Sequence, residues 1–271
     1  MLIELVKALI IGIVEGITEW LPVSSTGHMI LLDELLHLNV TSEFREMFLV
    51  VIQLGAVLAV AVMFFRKLFP FYPGMAKTER SAVWSLWGKI IVACLPAAII
   101  GILLDDKIDA LFYNWQTVAA TLIIYGIVFI VIEKRGKIVP RIDSTSGITY
   151  KTAVFIGIFQ LLSLIPGTSR SGATIIGAML LGASRTAATE FTFFLALPVM
   201  VGASLLKLVK FGFVFTGAEA AILLVGATTA FLVSIAAIKF LTGFVKKHSF
   251  VGFGWYRIAL GAAVILFFVL M

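Results

Sequence analysis

Glu15-Gly16-Ile17-Thr18-Glu19-Trp20-Leu21-Pro22-Val23-Ser24-Ser25-Thr26-Gly27-His28 interrupts an otherwise apolar stretch over residues 2–36. A second interruption, Pro166-Gly167-Thr168-Ser169-Arg170-Ser171-Gly172-Ala173-Thr174, sits inside the apolar stretch 150–182. An acid or a guanidinium at the centre of a membrane helix costs about 2.5–3.5 kcal/mol on insertion scales. The Pro, Gly and Ser residues break each stretch into halves too short to cross a bilayer alone. Broken helices are tolerated at membrane depth where their backbone lines a protein-enclosed cavity. Both stretches are therefore expected to be re-entrant helix-loop-helix hairpins.

Working outward, the chain is 61% hydrophobic and only 13% charged, with a mean hydropathy of +1.11. Soluble domains carry roughly 25% charged residues, so a polytopic membrane protein is expected. Crossing takes about 20 apolar residues, and the runs 43–66, 83–104, 115–134, 186–209, 217–244 and 252–271 meet that length. No cleaved signal peptide is expected, because residues 1–13 carry Glu4 and Lys7 and lead directly into the first motif. The single cysteine, Cys94, lies in an apolar run and reads as a core thiol. Trp20, Trp115 and Trp255 read as interfacial anchors, and Pro96 and Pro198 as kinks within spans.

The net charge of +6 is located at membrane ends, so it speaks for topology and not for nucleic acid. Arg66, Lys67, Lys77 and Arg80 follow the first span. Lys134, Arg135, Lys137, Arg141 and Lys151 follow the third, and Lys246 and Lys247 join the fifth to the sixth. The alternate connections are poorer, with Asp105, Asp106, Lys107 and Asp109 on one and Lys207 and Lys210 on the other. The positive-inside rule puts the rich connections in the cytoplasm and both termini outside. The first hairpin then enters from the outer face and the second from the inner face.

An internal repeat agrees. Gly12-Ile13-Val14-Glu15 parallels Gly157-Ile158-Phe159-Gln160, and Pro22-Val23-Ser24-Ser25 parallels Pro166-Gly167-Thr168-Ser169 after a one-residue gap. Glu43-Phe44 precedes Gly55-Ala56 by the interval that separates Glu190-Phe191 from Gly202-Ala203. Glu43 and Glu190, at span starts, read as helix N-terminal charges. One membrane domain, 1–271, is expected, with halves 1–135 and 150–271 each made of a hairpin and three spans. An odd number of spans inverts the second copy, which brings both motifs to the midplane. The fold class is thus all-α and polytopic, with about six transmembrane helices, two re-entrant hairpins and an inverted-topology repeat.

The two motifs carry matching chemistry. Glu15 and Glu19, spaced i and i+4, project from one helix face; they suit a divalent cation, or one serves as a base while the other holds metal. The plainer reading is two acids at an outward-facing helix end. The turn at 22–28 offers hydroxyls and free amides at a helix start, a natural anion site. Ser25 and His28 are close enough to meet across one turn, as a nucleophile and its base require. Capping alone would also explain the serines. Arg170, flanked by Ser169 and Ser171, is the fork that grips phosphate oxygens, or else an ion-pair partner of Glu15 or Glu19. Thr174, one turn on, adds a hydroxyl. There is no P-loop and no HExxH, and the three histidines are too scattered for a zinc site.

Glu15-xxx-Glu19, Leu21-Pro22-Val23-Ser24-Ser25-Thr26-Gly27-His28 and the downstream Pro166-Gly167-Thr168-Ser169-Arg170-Ser171-Gly172 together resemble bacterial undecaprenyl-diphosphate phosphatases, the integral-membrane family linked to bacitracin resistance. The resemblance covers nearly the whole chain. It implies removal of the terminal phosphate of undecaprenyl diphosphate, which recycles the lipid carrier for cell-wall peptidoglycan synthesis. It also implies a multi-pass protein of the bacterial inner (cytoplasmic) membrane, an active site opening to the periplasmic or outer face, and stimulation by a divalent cation, Mg²⁺ or Ca²⁺. Its catalytic positions fall on Glu15, Glu19, Ser25, His28 and Arg170, with Thr26, Ser169, Ser171 and Thr174 lining the phosphate site. On this reading Arg170 binds the diphosphate, with Glu15 and Glu19 as metal ligands. Ser25 attacks, with His28 or Glu19 taking its proton, though His28 or a metal-bound water as nucleophile stays open. The expected partners are the lipid substrate, membrane lipids and no nucleic acid, and a homodimer is compatible. An inverted-repeat transporter or lipid-carrier flippase with a midplane anion site is the competing class. A lipid-binding scaffold would leave the buried ionisable groups unexplained.

Overall fold

The computed structural model describes residues 1–135 and 140–270. Lys137, counted above among the basic connections, lies outside the described residues, as do the side chains of Asp105, Asp106 and Asp109.

Among the described residues six helices are long and apolar enough to cross a membrane. They are α3 (Ser42–Met63), the apolar part of α5 (Lys77–Phe112), α6 (Trp115–Lys134), α9 (Arg185–Phe211), α10 (Gly217–Phe244) and α11 (Val251–Leu270). A short α4 (Phe65–Leu68) follows α3. Several starts are fixed by side-chain caps, as at membrane ends where first-turn amides would otherwise go unpaired. Thr41 accepts from the Phe44 amide at 3.2 Å and Asn114 from Thr117 at 2.8 Å. Thr216 and Glu219 cap α10 reciprocally. The spans turn large apolar side chains outward: Leu58, Ile102 and Leu224 are 55%, 75% and 68% exposed. Such a surface is stable only against lipid. The α5 helix runs past the expected end at residue 104 to Phe112, so the acidic segment 105–109 is helical and not a loop. Pro96 and Pro198 both lie inside helices.

The first apolar stretch folds as α1 (Leu2–Thr18), a turn, and α2 (Ser25–Leu36). The second folds as α7 (Tyr150–Gln160), a 3₁₀ turn at Leu161–Leu164, and α8 (Arg170–Leu180). At 1.5 Å per residue, helices of 11 or 12 residues reach roughly 17 Å, well short of a hydrocarbon core. This fits the re-entrant reading. The packing partners also exchange between halves. The α1 helix packs on α10 as α7 packs on α5, and α10 meets α3 as α5 meets α9, while α3 with α9 and α6 with α11 pair across the two halves. Gly12 and Gly157 permit the two equivalent close crossings. A Cβ on Gly12 would lie 2.6 Å from the Gly226 carbonyl oxygen, and one on Gly157 would collide with the Ala93 carbonyl. This network fits an inverted repeat.

Two readings are corrected. Trp20 is no interfacial anchor: it is fully buried, edge-on to Phe193 at a centroid distance of 5.3 Å. The break in the hairpin carries it inward with the loop. Glu190 is not a first-turn charge, because α9 begins at Arg185; its carboxylate instead binds Lys67 at 2.8 Å and Thr145 at 3.2 Å. Glu43 does occupy the first turn of α3.

Candidate active site

Each hairpin turns at a serine. Ser24 and Ser169 hold positive backbone angles, φ 73° and 72°, a region costly for residues with a Cβ and frequent at functional sites. Each serine then caps the helix that follows. The Gly27 amide donates to Ser24 Oγ at 3.3 Å, and the Gly172 amide to Ser169 Oγ at 3.1 Å. The structural equivalent of Ser169 is therefore Ser24, one residue earlier than the sequence alignment suggested. The second loop absorbs its extra residue between Pro166 and Ser169. This register makes Ser25 and Arg170 counterparts, each the first residue of its helix.

Both counterparts converge on Glu19. Arg170 Nη2 donates to Glu19 Oε1 at 3.1 Å, and Ser25 Oγ donates to Glu19 Oε2 at 2.8 Å. The Arg170 and Glu19 side chains are 10% and 8% exposed. Arg170 Nη1 is spent on the Thr192 carbonyl at 3.0 Å, which fixes the plane of the guanidinium. Removing either member of such a buried pair strands a charge, at a cost of about 3–5 kcal/mol.

His28 is not the partner of Ser25. Its Nδ1 lies 2.7 Å from the Ser24 carbonyl oxygen, which only accepts, so Nδ1 carries the proton. Its Nε2, 2.7 Å from the Tyr256 hydroxyl, then accepts from that hydroxyl. The two rings stack with centroids 5.7 Å apart. Both His28 and Ser25 keep partial exposure, as does Thr26.

The remaining predicted residues fall into two groups. Ser169 is half-buried, within 3.1 Å of Ser171 Oγ. Ser171 and Thr174 are buried and donate inward: Ser171 to the Glu19 carbonyl at 3.3 Å, and Thr174 to the Arg170 carbonyl at 2.9 Å. Ser171 thus ties the two loops together, while Thr174 joins α8 to α9 through Thr192 Oγ1 at 2.9 Å. Glu15, 1% exposed, lies one turn before Glu19, and its Oε1 is buried without a hydrogen-bond partner. Among the described residues no cluster of three or more His, Cys, Asp or Glu side chains gathers. An unpartnered carboxylate oxygen beside a second acid suits a hard cation whose other ligands are phosphate oxygens and water. Cys94 is buried, as a core thiol should be.

Two residues of α11 complete the site, and the sequence motifs gave no hint of them. One is Tyr256. The other is Arg257, fully buried, which donates to the Pro22 carbonyl at 3.3 Å and to the Gly167 and Thr168 carbonyls at 2.8 and 2.9 Å. Its guanidinium lies over the Tyr125 ring, 5.7 Å from the centroid. It thus clamps both loops at once. The available signal was its position: an arginine within an apolar span is a functional candidate by default.

Comparison with known proteins identifies the family. The sequence profile of the family described as "Bacitracin resistance protein BacA" matches residues 8–263. Undecaprenyl-diphosphatase 1 of Clostridium acetobutylicum is 60% identical over 271 residues, covering 99% of each chain. The undecaprenyl-diphosphatase of Desulfitobacterium hafniense is 60% identical, covering 98% of this chain and 97% of its own. That of Enterococcus faecalis is 57% identical, covering 96% and 95%.

Proposed function

The chain belongs to the bacitracin resistance protein BacA family, and we propose that it is an undecaprenyl-diphosphatase, releasing the terminal phosphate of undecaprenyl diphosphate. The observation that carries this reading is the convergence of Ser25 and Arg170, from separate hairpins, on the two oxygens of Glu19. Binding alone would need the cation; a hydroxyl already aligned with a carboxylate base is the equipment of phosphoryl transfer.

Arg170, the amides at the starts of α2 and α8, and Thr26 and Ser169 bind the diphosphate. The substrate takes over the guanidinium face that Glu19 occupies here, freeing that carboxylate to act as base. Ser25 Oγ attacks the terminal phosphorus and its proton passes to Glu19. The bond to the bridging oxygen breaks, and undecaprenyl phosphate leaves with the electron pair. Glu19 passes that proton on to the departing undecaprenyl phosphate, which restores it as a base. Water then attacks the phosphoserine and gives its proton to Glu19, the bond from phosphorus to Ser25 Oγ breaks, and Oγ recovers the proton from Glu19 as inorganic phosphate departs. His28, held as the Nδ1–H tautomer, accepts from the Tyr256 hydroxyl through Nε2 and so fixes α11 beside the start of α2.

A divalent cation, Mg²⁺ or Ca²⁺, would be held by Glu15 and, once it leaves Arg170, Glu19. When bound, it supplies charge neutralisation on the diphosphate. The prenyl tail stays in lipid, where each CH₂ is worth roughly 0.8 kcal/mol. The site opens to the outer face of the cytoplasmic membrane, the reading that the basic connections support.

The test is phosphate release from a prenyl diphosphate by purified protein in detergent, with and without chelator. Release that stops on chelation and returns with Mg²⁺ or Ca²⁺ is expected. A protein that binds the lipid and releases no phosphate would instead be a carrier.

A further inference from the structure

Arg170 is held from behind by α9. Its Nη1 donates to the Thr192 carbonyl at 3.0 Å and its Nη2 to Glu19, while its Nε is buried without a partner. In the proposed reaction the substrate takes the place of Glu19. The Thr192 carbonyl is then the remaining hydrogen-bond partner of the guanidinium among the described residues. Whatever keeps that carbonyl in register with Arg170 therefore matters to the chemistry.

The Thr192 side chain does so. It is fully buried, and its Oγ1 lies 2.9 Å from Thr174 Oγ1. Thr174 Oγ1 also lies 2.9 Å from the Arg170 carbonyl and 3.3 Å from that of Ser171. A carbonyl only accepts, so the single hydroxyl hydrogen of Thr174 is committed there, and Thr192 must donate to Thr174. Three bonds then close a ring. The Arg170 guanidinium donates to the Thr192 carbonyl, the Thr192 hydroxyl to Thr174, and the Thr174 hydroxyl back to the Arg170 carbonyl. Both ends of Arg170, side chain and backbone, are thus fixed against one turn of α9.

The plainer role of a threonine in an apolar helix is to return its hydroxyl to the carbonyl four residues earlier. Thr18 and Thr242 do this, at 2.8 and 2.6 Å. Thr192 sends its hydroxyl to another helix instead. Its neighbour Phe193 packs edge-on against Trp20, the residue after Glu19. The same turn of α9 therefore braces both sides of the Glu19–Arg170 pair.

We propose, on the phosphatase reading of the site, that Thr192 is a positioning residue for the phosphate-binding guanidinium. It lies outside both motifs and, being fully buried, acts through Thr174 and Arg170.

The test compares full-length wild type, Thr192→Val and Thr192→Ser in detergent. Two readouts are taken: phosphate release from a prenyl diphosphate, and binding of inorganic pyrophosphate by titration calorimetry. Valine keeps the branched shape and lacks the hydroxyl, so kcat should fall about tenfold with the thermal midpoint little changed. Serine keeps the donor and should recover most of the rate. Pyrophosphate should bind severalfold more weakly to Thr192→Val, yet Arg170→Gln should bind it equally weakly with or without Thr192→Val, because no guanidinium remains to be aimed. Should Thr192→Val not fold, Thr192→Cys, close in size and only a weak donor, should show the same losses. A folded variant with the rate and pyrophosphate affinity of wild type overturns the proposal. So does a loss of affinity that persists undiminished in Arg170→Gln, which would mark a merely structural role. A wild type that binds pyrophosphate but releases no phosphate refutes the phosphatase reading alone, and the two pyrophosphate comparisons still decide the role of Thr192.

Discussion

At the scale of single residues, the chemistry turns on which neighbour each polar group found. Spacing alone allowed Ser25 to meet His28, but the helix start aims Ser25 back at Glu19, and His28 turns to Tyr256. Local sequence cannot supply Tyr256, because 228 residues separate it from its partner. The motif was legible as chemistry because expensive residues in an apolar helix need compensation; their pairing was not, because it is tertiary. Ser25→Ala should slow phosphate release by about 10²-fold or more and eliminate a phosphoserine detectable after rapid quench. A rate within tenfold of wild type would move the attack elsewhere. Tyr256→Phe removes one hydrogen bond, so a loss of about tenfold is expected, corresponding to about 1.4 kcal/mol. An unchanged steady-state rate would remove Tyr256 from the site.

At the scale of elements, the spans were readable from apolar length, and α3, α6, α9, α10 and α11 begin or end within a few residues of expectation. The end of α5 was not, since Asp and Lys signal a loop by polarity while the helix continues through them. The loop register was hidden for a different reason: backbone conformation at Ser24 and Ser169, not residue identity, defines the equivalence. Arg257 makes α11 the element that holds both loops. Arg257→Met should leave those carbonyls unpaired, lower the thermal midpoint and cost most of the activity, whereas Arg257→Lys should recover part of the midpoint but little of the activity. A variant with wild-type stability and rate would show that the clamp is dispensable.

At the scale of the whole molecule, the exchange of packing partners between halves fits two copies related by inversion. On that reading the halves differ at the candidate site, with Gln160 at the counterpart of Glu15 and Arg170 at the counterpart of Ser25. Charge was the sequence's guide to sidedness, because connections are read by the membrane and not by the fold. In a Cys94→Ala background, a cysteine at Lys247 should resist a membrane-impermeant maleimide applied to intact cells, and one at Thr216 should react. The reverse labelling would invert the orientation proposed for the site.

The central claim is that both hairpins act on one phosphate through one carboxylate. A double-mutant cycle of Glu19→Gln and Arg170→Gln, read by phosphate release, tests it most directly. Each single variant should lose about 10²-fold or more, and the double variant should be scarcely worse than the poorer single one, because both act in one transition state. Losses that multiply would mean that Glu19 and Arg170 work independently, contradicting the shared site.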